Sequence, residues 1–407
     1  MKVTLINHSD TLGGASTVTF NLMQALRQAG VDARMLVVHK ATDSPYVHRA
    51  APRWHARIPF LAEHLRIWAR NRFSLKNIFQ VSIATDGLPL RRHTLVEDAD
   101  VVVLNWINQG MLSLGEIGKI ARMKPTVWTM HDMWNMTGIC HHAYGCENYL
   151  THCRRGPLLG SAAGERDASA RTFDAKKALY DSVPIHFVAV SNWLADVARR
   201  SALLRGRDIT VINNPFSVEE LGFKSAFNRG ELGLPWNGRI ILFCAARIDD
   251  PMKNLPAAIE ALNTLTDTDA VAVFVGACKD PRALDGLKLR HYWLGPVYDR
   301  KRLRNIFGYA SVVMSSSDYE SFGATLLEGQ AMGVTPVAPA HDGRADIITD
   351  RVTGYASGPG IRTLGEALRL ALRHPLPQTD LRAAAERYSY PAIAQKYIEL
   401  FNSITGS

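Results

Sequence analysis

The chain has 407 residues, of which 47% are hydrophobic and 21% charged, so it is a folded protein long enough for two domains. No apolar run approaches the roughly 20 residues that a membrane-spanning helix needs. The formal charge of +9 calls for anionic partners: nucleic acid, phospholipid or a phosphorylated substrate. Five cysteines, with an N-terminus that enters a strand at Met1-Lys-Val and carries no signal-peptide pattern, predict a reducing cytoplasm.

In chain order, short β-branched runs alternate with helical stretches. Val3–Asn7 reads as a strand, Ala15–Gln28 as a helix with Phe20, Leu22 and Leu26 apolar, and Ala33–Val38 as the next strand. A basic segment from Arg49 to Lys76 follows, with Trp54, Phe60, Trp68 and Phe73 interleaved and Glu63 its one acid. Leu61, Leu65 and Trp68 share a helical face there, with Arg66 and Arg70 to the side, and Arg72 joins them as an expected membrane or acceptor contact. The segment is therefore expected to lie on an anionic membrane surface.

Val101–Leu104, Thr126–Thr129 and Phe187–Val190 continue the strand series. It restarts with Ile240–Cys244, Ala270–Val275, Ser311–Met314 and Thr335–Ala338, and a helix closes the chain from Tyr390 to Ile404. Two such series, joined near Leu204 to Phe216, predict two Rossmann-like domains with doubly wound parallel sheets. The expected boundaries are 1–205 and 206–389, with 390–407 packing back on the first domain. Ligands of such sheets bind at the carboxyl ends of strands, which places the expected site in a cleft between the domains.

The segment Glu320-Ser-Phe-Gly-Ala-Thr-Leu-Leu-Glu328 carries the most chemistry. A helix beginning at Gly323-Ala324-Thr325 offers unpaired amides and a positive dipole end to a phosphate. Glu328, just over one turn in, can accept hydrogen bonds from a vicinal diol such as a ribose. Glu320, on the preceding loop, faces whatever lies beyond the phosphates.

This pattern resembles the two-glutamate motif of retaining glycosyltransferases with the GT-B fold, in particular family four. The resemblance implies a nucleoside-diphosphate sugar donor, with Glu320 on the sugar, Glu328 on the ribose, and Phe322, Gly323, Ala324 and Thr325 at the phosphates. It also assigns Arg247 and Lys253 to the donor diphosphate and Gly13-Gly14 to the donor phosphates or the acceptor. His131, after Trp128-Thr-Met, would reach the donor sugar from the facing domain. In this fold the cations do a metal's work, so Asp249-Asp250 is read as no metal site, and no cofactor is expected.

The segment from Thr137-Gly-Ile-Cys140 through Cys146 and Cys153 to Gly156-Pro157 narrows the likeness. With Ser82-Ile83 and Trp106-Ile-Asn108, it resembles a bacterial subgroup found in exopolysaccharide and O-antigen clusters, including colanic acid glycosyltransferases. That subgroup has four cysteines here, and Gly156 occupies the place of the last. Cys140, Cys146 and Cys153 could hold a structural zinc with His141, His142 or His152; three ordinary thiols is the reading adopted, with no metal.

The resemblance thus implies a hexosyltransferase acting on a bacterial glycan or lipid-linked acceptor, cytoplasmic and peripheral on the inner face of the membrane. Other GT-B enzymes of sugar nucleotides, an epimerase or a phosphorylase, would share such a site, although no lysine site for a phosphorylase's cofactor is evident. A nucleic-acid-binding protein would explain the charge, but the chain carries no zinc finger, RNP stretch or helix-turn-helix signal.

Overall fold

Strands that read as unbroken apolar runs must be covered on both faces, which is the condition of a parallel sheet between helical layers. The computed structural model, which describes residues 1–217 and 227–406, meets that condition twice. Contacts divide the chain into one unit of Met1–Pro215 with Ile393–Ser407 and another of Phe216–Ala392.

The first unit holds β1 (Lys2–Ser9), α1 (Gly14–Gln28), β2 (Asp32–His39), β3 (Val47–Arg49), α2 (Arg53–Arg70), α3 (Thr94–Glu97), β4 (Val101–Leu104) and α4 (Leu114–Met123). It continues with β5 (Thr126–Met130), α5 (Ala168–Ser182), β6 (Ile185–Ala189), α6 (Asn192–Arg200) and β7 (Ile209–Val211). Its sheet runs β3-β2-β1-β4-β5-β6-β7, parallel throughout.

The second unit holds β8 (Arg239–Arg247), α7 (Leu255–Asn263), β9 (Ala270–Ala277), β10 (His291–Trp293), α8 (Arg300–Tyr309) and β11 (Ala310–Met314). Then come α9 (Ala324–Ala331), β12 (Thr335–Pro339), β13 (Tyr355–Ser357), α10 (Leu364–Arg373), α11 (Gln378–Ala385) and α12 (Tyr390–Thr405). Its sheet runs β10-β9-β8-β11-β12-β13, also parallel.

Each sheet reverses its order of travel beside its first strand, between β1 and β4 in one and between β8 and β11 in the other. At such a switch point the connections leave in opposite directions and open a crevice at the carboxyl ends of the strands. The segments at 10–14 and 105–106 in the first unit, and at 247–253 and 315–320 in the second, lie there.

The second unit's core shows how the helices are held. Leu255, Ala258 and Leu262 of α7, with Leu368, Ala371 and Leu372 of α10, bury one sheet face with Ile241, Phe243 and Phe274. Each fully buried Leu contributes about 1.5–3 kcal/mol. Thr363 and Glu366 close a reciprocal cap at the start of α10, worth about 1 kcal/mol.

The units divide after Pro215, later than the expected boundary at Arg205, because β7 pairs with β6 and so belongs to the first sheet. α12 begins in the second unit and belongs to the first from Ile393, where the Tyr397 hydroxyl meets Thr129 Oγ1 at 3.0 Å.

Candidate donor and acceptor sites

In the second unit, Gly323 caps α9 from the left-handed region at φ 97°, where a side chain would be strained. A Cβ there would also come within 3.0 Å of Arg344 Cγ. The helix therefore starts without a capping side chain, and the amides of Gly323, Ala324 and Thr325 have no acceptor among the described residues. Phe322 does not face this opening. Its ring is buried against Tyr388 at 5.6 Å, so it anchors the loop and offers only its backbone.

Glu328 lies half-buried on the same helix and makes no hydrogen bond or ion pair within the described residues. Burial pushes its carboxyl above the usual range, against the pull of Arg300 and Arg304 from α8. An unpartnered, partly desolvated carboxylate one turn past free amides is a receptor for paired hydroxyls beside a phosphate.

The cations differ from expectation in one respect: both are already paired. Lys253 Nζ donates to Glu320 Oε1 at 2.6 Å, and Arg247 pairs with Asp250 at 3.1 Å and Asp249 at 3.3 Å. Burial raises the Glu320 carboxyl, but Lys253, the Ser317 hydroxyl at 2.8 Å and Arg344 outweigh it and hold it below its ordinary value.

Sequence reasoning missed what fixes Glu320. Asp342 Oδ2 accepts the Glu320 amide at 2.8 Å, and Arg344 grips Asp342 through two bonds of 2.9 Å while donating to Ser317 O at 2.7 Å. Both side chains are buried. Between them, Gly343 leaves no room for a Cβ, which would sit 2.2 Å from Ser321 O. The available signal was position alone: His341-Asp-Gly-Arg344 follows β12 at the sheet's carboxyl edge, as the expected cations follow β8.

In the first unit, His131 leaves the end of β5, and its Nε2 meets Asn105 Oδ1 at 3.0 Å. An amide oxygen only accepts, so Nε2 carries the proton and Nδ1 keeps its lone pair. Burial lowers the His131 pKa to about 4, against the neighbouring Asp132, so the ring is neutral. Next to it, Asp132 accepts from Trp106 Nε1 at 3.1 Å, His141 Nδ1 at 2.7 Å and the Trp134 amide at 2.8 Å. Burial raises the Asp132 pKa, but the His141 contact and these bonds bring it to about 2. Ser82 Oγ completes the chain 3.2 Å from His141 Nε2. Asn105 and the Asp132–His141 pair are further residues that sequence reasoning did not assign to the site.

Gly13 caps α1 at φ 86°, and a Cβ on Gly13 or Gly14 would meet nothing within 4 Å. The strand–helix turn thus needs glycine's positive φ at Gly13, and open space borders both glycines.

Among the described residues no group of three or more His, Cys, Asp or Glu side chains is placed to hold an ion. Burial pushes the Cys140 thiol up to about 12 and that of Cys153 up to about 11, so both keep their protons. At Gly156, where the subgroup's last cysteine would stand, the amide donates to Asp167 at 2.9 Å and a Cβ would come within 3.1 Å of Ser169 Oγ.

α2 covers Arg53–Arg70 as the basic segment requires. It buries Ala56, Glu63, His64 and Ile67 and turns Trp54, Leu61 and Leu65 outward at 62%, 61% and 60% exposure. Trp68 is half-buried rather than on the outward face. Glu63, the segment's one acid, points inward and accepts the amides of Ile83, Ala84 and Gly110. Arg66 is paired with Asp86, Arg70 is half-buried and Arg72 is exposed. Beside α2 lies a largely apolar open groove lined by Phe60, Leu61, Leu75, Ile78 and Phe79. No helix among the described residues is long and apolar enough to cross a membrane.

The model of the family described as Glycosyltransferase Family 4 matches residues 12–220, and that of Glycosyl transferases group 1 matches residues 226–390. The chain belongs to glycosyltransferase family 4. Among family relatives, a D-inositol 3-phosphate glycosyltransferase of Xylanimonas cellulosilytica is 28% identical over 224 residues, 52% of this chain and 53% of that protein. The putative colanic acid biosynthesis glycosyl transferase WcaC of Escherichia coli is 28% identical over 161 residues, 37% of this chain and 38% of its own length. The chain thus spans about half the length, or less, of these curated relatives. The GT-B fold is shared with Anabaena Alr3699/HepE, solved in complex with UDP and glucose, at a TM-score of 0.64 and 16% identity over 99% of this chain and 100% of that one.

Proposed function

We propose that this family 4 protein transfers a hexosyl group, with retention of configuration, from a nucleoside-diphosphate sugar to a bacterial glycan or lipid-linked acceptor in surface polysaccharide synthesis. One observation carries the reading. The unpartnered Glu328 carboxylate stands one turn into a helix whose first amides are free, on the unit that also presents Arg247 and Lys253.

In that reading the ribose diol bonds to Glu328 and the diphosphate lies at the start of α9. Breaking the glycosidic bond leaves its electron pair on the diphosphate, and Arg247, Lys253 and the amides of Gly323, Ala324 and Thr325 stabilise that charge. Preorganised electrostatics of this kind are commonly the largest catalytic term. These groups offset the leaving charge without a divalent ion. The acceptor oxygen attacks on the face the diphosphate leaves, and its proton passes to the leaving phosphate. Glu320, fixed by Asp342 and Ser317, and His131, neutral with an open Nδ1, orient sugar hydroxyls rather than attack them.

The relative named for colanic acid biosynthesis supports a polysaccharide pathway, and the neighbour bound to UDP and glucose makes UDP-hexoses the first donors to test. The outward apolar residues of α2, its exposed Arg57, Arg72 just after it, and the adjacent groove support peripheral contact with an anionic leaflet, placed in this reading on the cytoplasmic side.

The test is release of nucleoside diphosphate from UDP-, GDP- and ADP-hexoses, with and without a bacterial lipid extract. Release that depends on the extract, with the α-anomeric configuration kept in the product, is expected. Conversion of the sugar nucleotide without any acceptor would instead identify an epimerase.

A further inference from the structure

Neither cation assigned to the diphosphate is free in the second unit, and their counter-ions are held in different ways. Glu320 is fixed by its own amide on Asp342 and by Ser317. Asp249 uses Oδ2 to accept the amides of Lys279 at 2.8 Å and Asp280 at 3.3 Å, so it belongs to that loop. Asp250 is held less firmly. Its Oδ1 accepts the Met252 amide at 3.0 Å, while its Oδ2 has only Arg247 Nη2 at 3.1 Å. The side chain is 40% exposed. One carboxylate oxygen therefore occupies a guanidinium donor that a diphosphate would use, and it can leave that donor while the other oxygen keeps the Met252 amide.

We propose that Asp250 is a displaceable counter-ion that limits how tightly the released nucleoside diphosphate is held. The inference rests on the donor-site reading given above. In the transfer, the bond from the sugar carbon to the phosphate oxygen breaks with its pair on the phosphate. The acceptor oxygen bonds to that carbon, and its proton passes to the leaving phosphate, which then loses it to water. A diphosphate diester of about two negative charges becomes a monoester of up to about three. A cationic site without a competing anion would hold that product better than the donor and would turn over slowly. Asp250 competes for Arg247 Nη2, and its repulsion grows with the charge of the product. When the product departs, the carboxylate returns to the same donor.

Asp250→Asn and Asp250→Ser remove the charge and keep a side-chain oxygen for the Met252 amide. UDP and GDP are titrated calorimetrically into the full-length chain and both variants at low salt and at 0.5 M salt. For whichever diphosphate the unmodified chain binds better, affinity should rise about threefold to tenfold in each variant, with a smaller gain at high salt. The product-inhibition constant should fall in step. A purely structural role for Asp250 would lower the melting temperature without tightening the diphosphate. Unchanged or weakened affinity in both variants overturns the proposal while leaving the donor site standing. Failure of the unmodified chain to bind either diphosphate overturns the donor-site reading and this inference together.

Discussion

The two switch-point sites are built from opposite materials. In the second unit the functional groups are ions, arranged so that each cation meets a carboxylate: Lys253 with Glu320, Arg247 with Asp249 and Asp250, Arg344 with Asp342. In the first unit the end of β5 carries a neutral histidine on an amide oxygen, beside Asp132, which is saturated by Trp106, His141 and a backbone amide. A balanced ionic site can trade a carboxylate for a phosphate at modest cost, because one anion replaces another at the same donor. A neutral site attracts no polyanion, but it can hold sugar hydroxyls in a fixed geometry. In the proposed reading the diphosphate therefore belongs to the second unit, and the neutral groups of the first meet hydroxyls rather than phosphates.

The largest effect should follow from breaking the buried pair that fixes Glu320. Arg344→Met leaves Asp342 buried without its partner and should destabilise the second unit by about 3–5 kcal/mol, read as a lower unfolding midpoint in urea. A change below 1 kcal/mol would mean that the loop is held by other contacts.

Next come the cations proposed to meet the phosphates. Lys253→Ala and Arg247→Ala should each cost about 2–4 kcal/mol of transition-state stabilisation in kcat/KM, with little change in melting temperature, since both pairs are partly solvated. Near-normal turnover in both would remove the ionic half of the comparison.

A pH titration sharpens the neutral half. Burial holds His8 and His131 at about 4 in the folded chain, against about 6.5 when unfolded. The unfolded chain therefore takes up protons that the folded chain refuses. The stability attached to these rings is fully present above pH 6.5 and is lost as pH falls towards 4. His131→Asn should flatten the fall in melting temperature across that window; an unchanged slope would show that the ring is not held neutral.

The smallest effect concerns α2. Co-sedimentation with anionic vesicles at low salt should weaken by about 0.5 M salt, and further when Arg57, Arg70 and Arg72 are changed to Glu. Arg66, already paired with Asp86, should matter less than Arg72. Binding that ignores both salt and charge reversal would leave α2 a packing helix with a solvated rim.

The central strands of both sheets were legible as runs of Val, Ile and Leu, because burial on both faces leaves an unbroken apolar signal. The edge strands β3, β7, β10 and β13 were not: each has three residues, too few for any period, and His291–Trp293 is exposed throughout. That gap also displaced the expected domain boundary, since β7 lies beyond it. At the candidate site, Glu320, Glu328, Arg247, Lys253 and His131 could be proposed because each lies in a short segment that resembles a family motif. Asp342, Arg344 and Asn105 could not, because each acts on a residue from another strand's loop and only the sheet order brings them together. The pairing of both cations with carboxylates was likewise invisible, since Asp249-Asp250 reads in one dimension as a spare acidic pair.

The division of labour is tested most directly by calorimetric titration of UDP and GDP into the unmodified chain, Glu328→Gln, Lys253→Ala and His131→Asn. Loss of diphosphate affinity is predicted for Glu328→Gln and Lys253→Ala, about tenfold or more where a charge-assisted bond is lost. His131→Asn should bind the free diphosphate normally and lose turnover instead. Weakened binding in His131→Asn together with normal binding in Glu328→Gln and Lys253→Ala would contradict the account.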